Sequence, residues 1–428
     1  MALFAREDVV FGRLLHTINM IEVNKGVKNS LKNEKLYLFF IFIFSVFIDA
    51  LNGYLQLQRE LHLPIGVIYR LSVISILFYI LRKEIRIKAL FFIISFIPFL
   101  LYWSECHHSD IISEIEIFSN IIYSFLFILF FYRNIDRFNL KNLFNYIIWS
   151  GIIIAIIIFV SYIFNIGNNS YGDDYGFGTK GFFKAGNDLS LTLVFTLVVS
   201  ILYYLMYSRK FLNVMTSIFI GLGAILIGTR VGMFLTTSII FSFLIYLFFL
   251  NRTGIFIKLM ICSILFFTSI FLVKLYNNLD SYALNRLTLE SMENARTALT
   301  QVAISHINNF NGFDILIGQG ADPLFGKLGR SLFLPQGFNR MVEADIYEII
   351  GSYGFVFGGI ILFFFYYICW KGFKTWIMNR NITNFCLFFL TFIFIVVGAM
   401  AGHAIKNVMV APIYGVVVAL ISRNYKIQ

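Results

Sequence analysis

The sequence predicts an all-α polytopic membrane protein, with about twelve transmembrane helices and one large polar loop. Three observations carry this reading. Of the 428 residues 59% are hydrophobic and only 13% charged, where soluble domains run at roughly 45 to 50% apolar and about 25% charged. Mean hydropathy is +0.80. With 5 Pro against 52 Phe and 23 Tyr, the apolar runs are long and uninterrupted.

Stretches long enough to cross a hydrocarbon core, about 17 to 25 residues, fall near 36–54, 63–81, 87–103, 115–132, 143–166, 189–208, 211–228, 231–250, 255–275, 345–370, 383–402 and 408–422. The chain then divides into a cytoplasmic N-terminal segment 1–35, helices one to nine over 36–275 with a periplasmic loop 167–188, a large periplasmic loop 276–344, and helices ten to twelve with a short cytoplasmic tail over 345–428. The orientation follows from charge. Alternate connections hold 22 of the 34 Lys and Arg, beginning with Arg6, Arg13, Lys25, Lys28, Lys32 and Lys35, and basic connections stay cytoplasmic. No cleavable leader is evident in that polar, basic start. The chain is expected in a membrane, in contact with its lipids.

A formal charge of +11 would point to nucleic acid in a soluble protein. Here the location of the charges matters more than their sum, and no nucleic-acid partner is expected. Cys106, Cys262, Cys369 and Cys386 are far apart and form no CxxC pair, which argues against a disulfide framework or zinc site. The large loop, roughly 70 residues, is too long for a passive connection and should hold helices of its own. Ser291 to Phe310 reads as one, with Met292, Ala295, Leu299, Val302, Ala303 and Phe310 on a helical period and Ser291 as N-cap.

Cations on the outer face run against the charge bias. Lys180 and Lys184 lie in GTKGFFKAGNDLS with Asn187, Arg230 in IGTRVGM, Arg296 in ENARTAL and Arg340 in GFNRMVEADIY. Arg230 needs an anionic neighbour, whether a lipid headgroup, a carboxylate or a substrate. Several such cations converging would clamp a pyrophosphate, whose oxygens match the guanidinium fork. Glu343, Asp345 and Glu348 form an acidic group where the large loop enters the tenth span. They either complement a helix dipole or supply a general base. His107, His108, His306 and His403 are scattered, and Asp173 with Asp174 reads as a turn before a metal site. No metal or other cofactor is expected. Asp49 and Arg70 lie at equal depth in the first two spans and are expected to pair.

Together the GFFKAGNDLSLTL loop, the GTRVGMF junction, the long loop ENARTALTQVAISHINNFNGFDILIGQG and the segment VEADIYEIIGSYGFVFGGIIL resemble the O-antigen polymerase and O-antigen ligase superfamily of lipid-linked glycan transferases. The resemblance covers about 180 to 365. It implies a GT-C-like enzyme of the bacterial inner membrane, an undecaprenyl-pyrophosphate-linked glycan as donor, and a chain-length regulator as a possible partner. It also implies that Arg230 and Arg296 contact the pyrophosphate, with Glu343 and Asp345 as catalytic carboxylates. The substrate-binding candidates are Lys180, Lys184, Asn187, His306 and Arg340. In the ligases a His stands about where Glu343 does here, and some polymerases have a similar Glu-x-Asp arrangement. That favours a Wzy-type polymerase that inverts the anomeric centre, over a ligase to lipid A core or a lipid-linked repeat flippase.

Overall fold

The computed structural model describes residues 34–59, 61, 65–170, 178–249, 289–331, 342, 344–400 and 402–423, with side chains except at 82–97, 289–296 and 330–331. The chain is mostly helical. Helix α1 (Glu34–Gln58) contains a π-helical stretch at Phe39–Phe44, and α2 (Ile65–His107), α3 (Ile111–Asn134) and α4 (Leu140–Phe164) follow it. A short antiparallel pair, β1 (Asn168–Asn169) with β2 (Thr179–Gly181), precedes α5 (Gly186–Met206), α6 (Phe211–Leu226) and α7 (Arg230–Phe249). The large polar loop contributes α8 (Leu289–Asn308), α9 (Asp314–Ile317) and α10 (Ala321–Ser331). Then come α11 (Asp345–Tyr353), a π-helical stretch at Gly354–Gly358, α12 (Gly359–Asn379), α13 (Ile382–Met400) and α14 (Ala411–Ser422).

Among the described residues seven helices are long and apolar enough to cross a membrane, and Ile65–Leu81, Phe211–Leu226 and Ala411–Ser422 are shorter apolar helices. The expected span at 255–275 lies outside the described residues, and that at 87–103 falls within α2. Helix α2 is not straight. Arg70 donates to Asn120 Oδ1 at 2.6 Å, while Trp103 and Phe118 both pack on Tyr353, with ring centroids 5.6 and 5.7 Å apart. Both ends of α2 thus return to one stretch of α3, although 33 residues of straight helix would separate them by about 50 Å.

Helix α5 forms the centre of the bundle. From Leu189 to Leu202 every residue is buried, as befits a helix that is apolar all round. Helix α14 lies along α3, where Gly415 admits the Phe127 backbone and Ser124 Oγ donates to the Ile405 carbonyl at 2.9 Å.

Contacts sort the connections into two ends. At one, Asn139 N–H donates to Glu34 at 3.1 Å and Arg423 reaches Asp136 at 3.4 Å. At the other, Ser170 Oγ donates to the Ile227 carbonyl at 2.6 Å, Asn407 Nδ2 to the Asp188 carbonyl at 3.0 Å and Trp103 Nε1 to the Gly318 carbonyl at 3.1 Å. The large loop, the 167–188 loop and the α13–α14 turn therefore share an end.

The large loop has its own small core of Leu299, Ala303, Leu324, Phe325, Leu328 and Val342. Helix α8 starts at Leu289, two residues before the expected cap, so Ser291 lies inside the helix. Two buried acids hold the loop to the bundle. Glu114 accepts from Ser109 Oγ at 2.6 Å and from the Asp322 N–H at 2.8 Å, which satisfies an orphan amide at the start of α10. Asp314 accepts from Tyr102 at 2.7 Å and from Gln319 at 2.8 Å and pairs with His107 at 2.8 Å. Gly318 and Gly354, both at φ +73, meet backbone to backbone, where a Cβ on Gly318 would stand 2.2 Å from the Ser352 carbonyl oxygen.

The expected Asp49–Arg70 pair takes another form. Asp49 is within electrostatic range of Arg70, but the near partners of Arg70 are Asn120 and Glu116, the latter at 3.6 Å. Helix α3 presents both acceptors on one face at a spacing of four residues.

Candidate active site

Three segments converge at the loop-bearing end: the entry to α5, the whole of α11, and the turn 402–410 between α13 and α14. The helical run Asp345–Asn379 has 35 residues, about 50 Å at 1.5 Å per residue. A hydrocarbon core is only about 30 Å thick, so the first turns can carry acids.

Asp345 and Glu348, three apart on one face of α11, are each 1% exposed. The Asp345 carboxylate accepts the backbone N–H of His403 at 2.5 Å and that of Ile405 at 3.0 Å. Glu348 pairs with the Lys406 ammonium, and its Oε2 lies 3.7 Å from His403 Nδ1. Lys406 is itself 8% exposed and lies 5.4 Å over the Phe325 ring of the large loop. Burial pushes its ammonium down to about 8, against the pull of Asp345, Asp188 and Glu114.

Asn407 fixes the other side of the turn. Its Oδ1 accepts from the Met409 and Val410 amides at 3.0 and 3.1 Å, while its Nδ2 binds the Asp188 carbonyl. Asp188 is within electrostatic reach of His403, Asp345, Lys406 and Lys184. Asp345, Glu348 and His403 also offer three ligand atoms within 4.8 Å of one another. The donor set suits a cation poorly, because both Asp345 oxygens hold backbone amides and the Lys406 ammonium already neutralises Glu348 and would repel a second positive charge.

The expected site residues distribute as follows. Arg230 opens α7, half-buried, and its neighbour Thr229 meets Ser190 of α5 at 2.5 Å. Lys180 lies in β2, half-buried, and burial lowers its ammonium pKa. Lys184 is exposed and Asn187 half-buried in the first turn of α5. Gly53 of α1 packs on the Lys184 amide, which seats the 180–184 loop against the first helix.

His306 is 1% exposed, inside the large loop, where Lys327 Nζ stands 2.7 Å from its Nδ1. Lysine has only donors to offer, so that nitrogen accepts and the ring is neutral. Burial first, and then Lys327, lower its pKa to about 4. Arg296 lies in α8 without a described side chain, and Glu343, Arg340, Asp173 and Asp174 lie outside the described residues.

Lys406 and Asn407 are functional candidates that the residue-by-residue reading missed. A signal was available in the sequence, since the charge bias assigns Lys406 to the same set of connections as Lys180 and Arg230, and it asks for the same explanation.

A family model described as O-antigen ligase like membrane protein matches residues 30–292, more than half of the chain. The chain belongs to the O-antigen ligase-like membrane protein family. A search of curated proteins gives no match. Membership in the O-antigen ligase-like family makes this a multi-pass membrane protein of the glycan-processing, glycosyltransferase type. The family match begins far earlier than the motif resemblance at about 180 and takes in Lys180, Lys184, Asn187 and Arg230. It ends before Arg296, α11 and the 402–410 turn.

Proposed function

We propose that this member of the O-antigen ligase-like family is a polymerase that joins polyprenyl-diphosphate-linked oligosaccharide repeats at the periplasmic face of the inner membrane. The observation that carries the reading is the meeting of the entry to α5, α11 and the 402–410 turn at one end of the bundle, where the buried Asp345 and Glu348 carboxylates hold His403 and Lys406. The charge bias of the connections assigns that end to the periplasm.

In the reaction a sugar hydroxyl of one repeat attacks the anomeric carbon of another. The C–O bond to the diphosphate breaks, and its electron pair leaves with the phosphate. In this reading Arg230, Lys184 and Arg296 are the cations that meet that charge. At about 4 Å and an effective dielectric near 20, one such contact is of order 4 kcal/mol before desolvation. Attack from the opposite face inverts the anomeric centre. The proton of the attacking hydroxyl goes to a base at the junction of 343–348 with 403–406.

Deletion of the gene followed by gel analysis of surface glycan tests the reading. A single repeat on the lipid core is the expected result. Free lipid-linked polymer beside a bare core would identify a ligase instead, and an unchanged polymer ladder would refute both.

A further inference from the structure

The group that Asp345, Glu348, His403, Lys406 and Asn407 form has one outward edge. Asp345, Glu348 and Asn407 are each 1% exposed and Lys406 is 8%, whereas the His403 side chain is 20% exposed. His403 is therefore the member of the group most open to a substrate. Its Nδ1 faces Glu348 Oε2 at 3.7 Å, which leaves Nε2 as the nitrogen directed away from that carboxylate. An imidazole backed by a carboxylate is the arrangement that fixes a tautomer and steadies the imidazolium once a proton arrives, and catalytic contacts of this kind are often long before substrate binds.

The surrounding contacts serve that placement. His403 has φ +65, a left-handed conformation unusual for a residue other than glycine. The Asp345 carboxylate grips the His403 amide, with Ile405 as a second point of attachment. The Lys406 ammonium pairs with Glu348 and offsets its charge in a buried position. The charged groups facing the ring are Glu348 and Asp345 on α11, Lys406 in its own turn, and Asp188 at the start of α5 with Lys184 beyond it.

We propose that His403, oriented by Glu348 and charge-balanced through Lys406, is the base that takes the proton from the attacking sugar hydroxyl. The step rests on the polymerase reading above. The acceptor O–H proton moves to His403 Nε2 as the acceptor oxygen bonds to the anomeric carbon, and the bond to the diphosphate oxygen breaks with its electron pair. Proton and negative charge thus leave the reacting centre on opposite sides. His403 touches substrate; Glu348 acts through it and is a positioning residue.

The test is single-turnover and steady-state transfer by the purified full chain in nanodiscs, with a synthetic polyprenyl-diphosphate-linked oligosaccharide as donor and acceptor. His403→Asn, whose side chain tolerates left-handed backbone, should lose about 10²- to 10⁴-fold in kcat, with donor KM and melting temperature unchanged and the acid limb of the pH–rate profile gone. The double variant Glu348→Gln with Lys406→Met, which removes both charges together, should fold and show a lower kcat at unchanged donor KM. Wild-type kcat in His403→Asn, or a loss confined to KM, overturns the assignment. So does full loss in Glu343→Gln with His403→Asn active. If the wild-type protein transfers no glycan at all, the polymerase reading itself fails and the base falls with it. Should His403→Asn not fold, His403→Gln gives the same comparison, because the amide held by Asp345 is backbone.

Discussion

Asp345 and His403 are 58 residues apart in sequence, yet the Asp345 carboxylate accepts the His403 backbone N–H at 2.5 Å. Gly398 makes room for this, since a Cβ there would stand 2.7 Å from Asp345 Oδ2. The first acid of α11 is thus an anchor for the last turn of the bundle, whatever further part it has in the chemistry.

Removing that anchor should loosen the turn. Asp345→Ala leaves the His403 and Ile405 amides without their acceptor, at a cost of about 1 to 3 kcal/mol for each buried donor. Thermal unfolding in detergent should show a clear drop in Tm, with a smaller drop for Asp345→Asn, which keeps one acceptor oxygen. An unchanged Tm in Asp345→Ala would mean that the turn is held from elsewhere.

The Glu348–Lys406 pair is buried, with side-chain exposures of 1% and 7%. Breaking such a pair from one side costs about 3 to 5 kcal/mol, because the remaining charge is stranded, whereas replacing both partners is often neutral. Lys406→Met alone is therefore expected to lower abundance and Tm sharply, and adding Glu348→Gln should restore most of both. Additive losses in the double-mutant cycle would count against the pair.

His306 gives the large loop a dependence on pH. The unfolded imidazole takes up its proton near pH 6.5, the folded one only near 4. Between those values the unfolded state binds more protons, so stability is full above about 6.5 and falls as the pH drops toward 4, by on the order of 3 kcal/mol in all. His306→Gln should flatten the fall in Tm between pH 7 and pH 4.5. An equally steep fall in the variant would place the acid sensitivity elsewhere.

Much of this architecture was legible in the sequence. Apolar runs of span length marked most of the helices, because a bilayer imposes length and hydropathy together. The Leu299, Val302 and Ala303 period found the loop helix α8, though not its start. The expected spans at 63–81 and 87–103, with the basic stretch Arg82 to Lys88 between them, instead fall within the single helix α2 (Ile65–His107).

What sequence could not supply was three-dimensional proximity. Asp345 and Glu348 were visible as neighbours on one helix, but His403, Lys406 and Asn407 come from a short turn far along the chain, and no spacing rule connects them. Arg70 illustrates the same limit: matching depth in two helices suggested Asp49, while rotation about the helix axes brought Glu116 and Asn120 closer.

Sidedness follows from the charge bias and can be checked directly. Asn311 is exposed in the large loop, so in a cysteine-free background, which removes the exposed Cys106, Asn311→Cys should react with an impermeant maleimide in intact cells with a permeabilised outer membrane. Labelling only after lysis would reverse the orientation.

The central claim is glycan polymerisation by this chain, and purified protein in nanodiscs given one defined polyprenyl-diphosphate-linked repeat tests it most directly. The expected product is a ladder of lengthening glycans with one polyprenyl diphosphate released for each bond formed, all of inverted anomeric configuration. Transfer of a preformed glycan to a lipid A core acceptor, with no ladder from the repeat alone, would contradict the account.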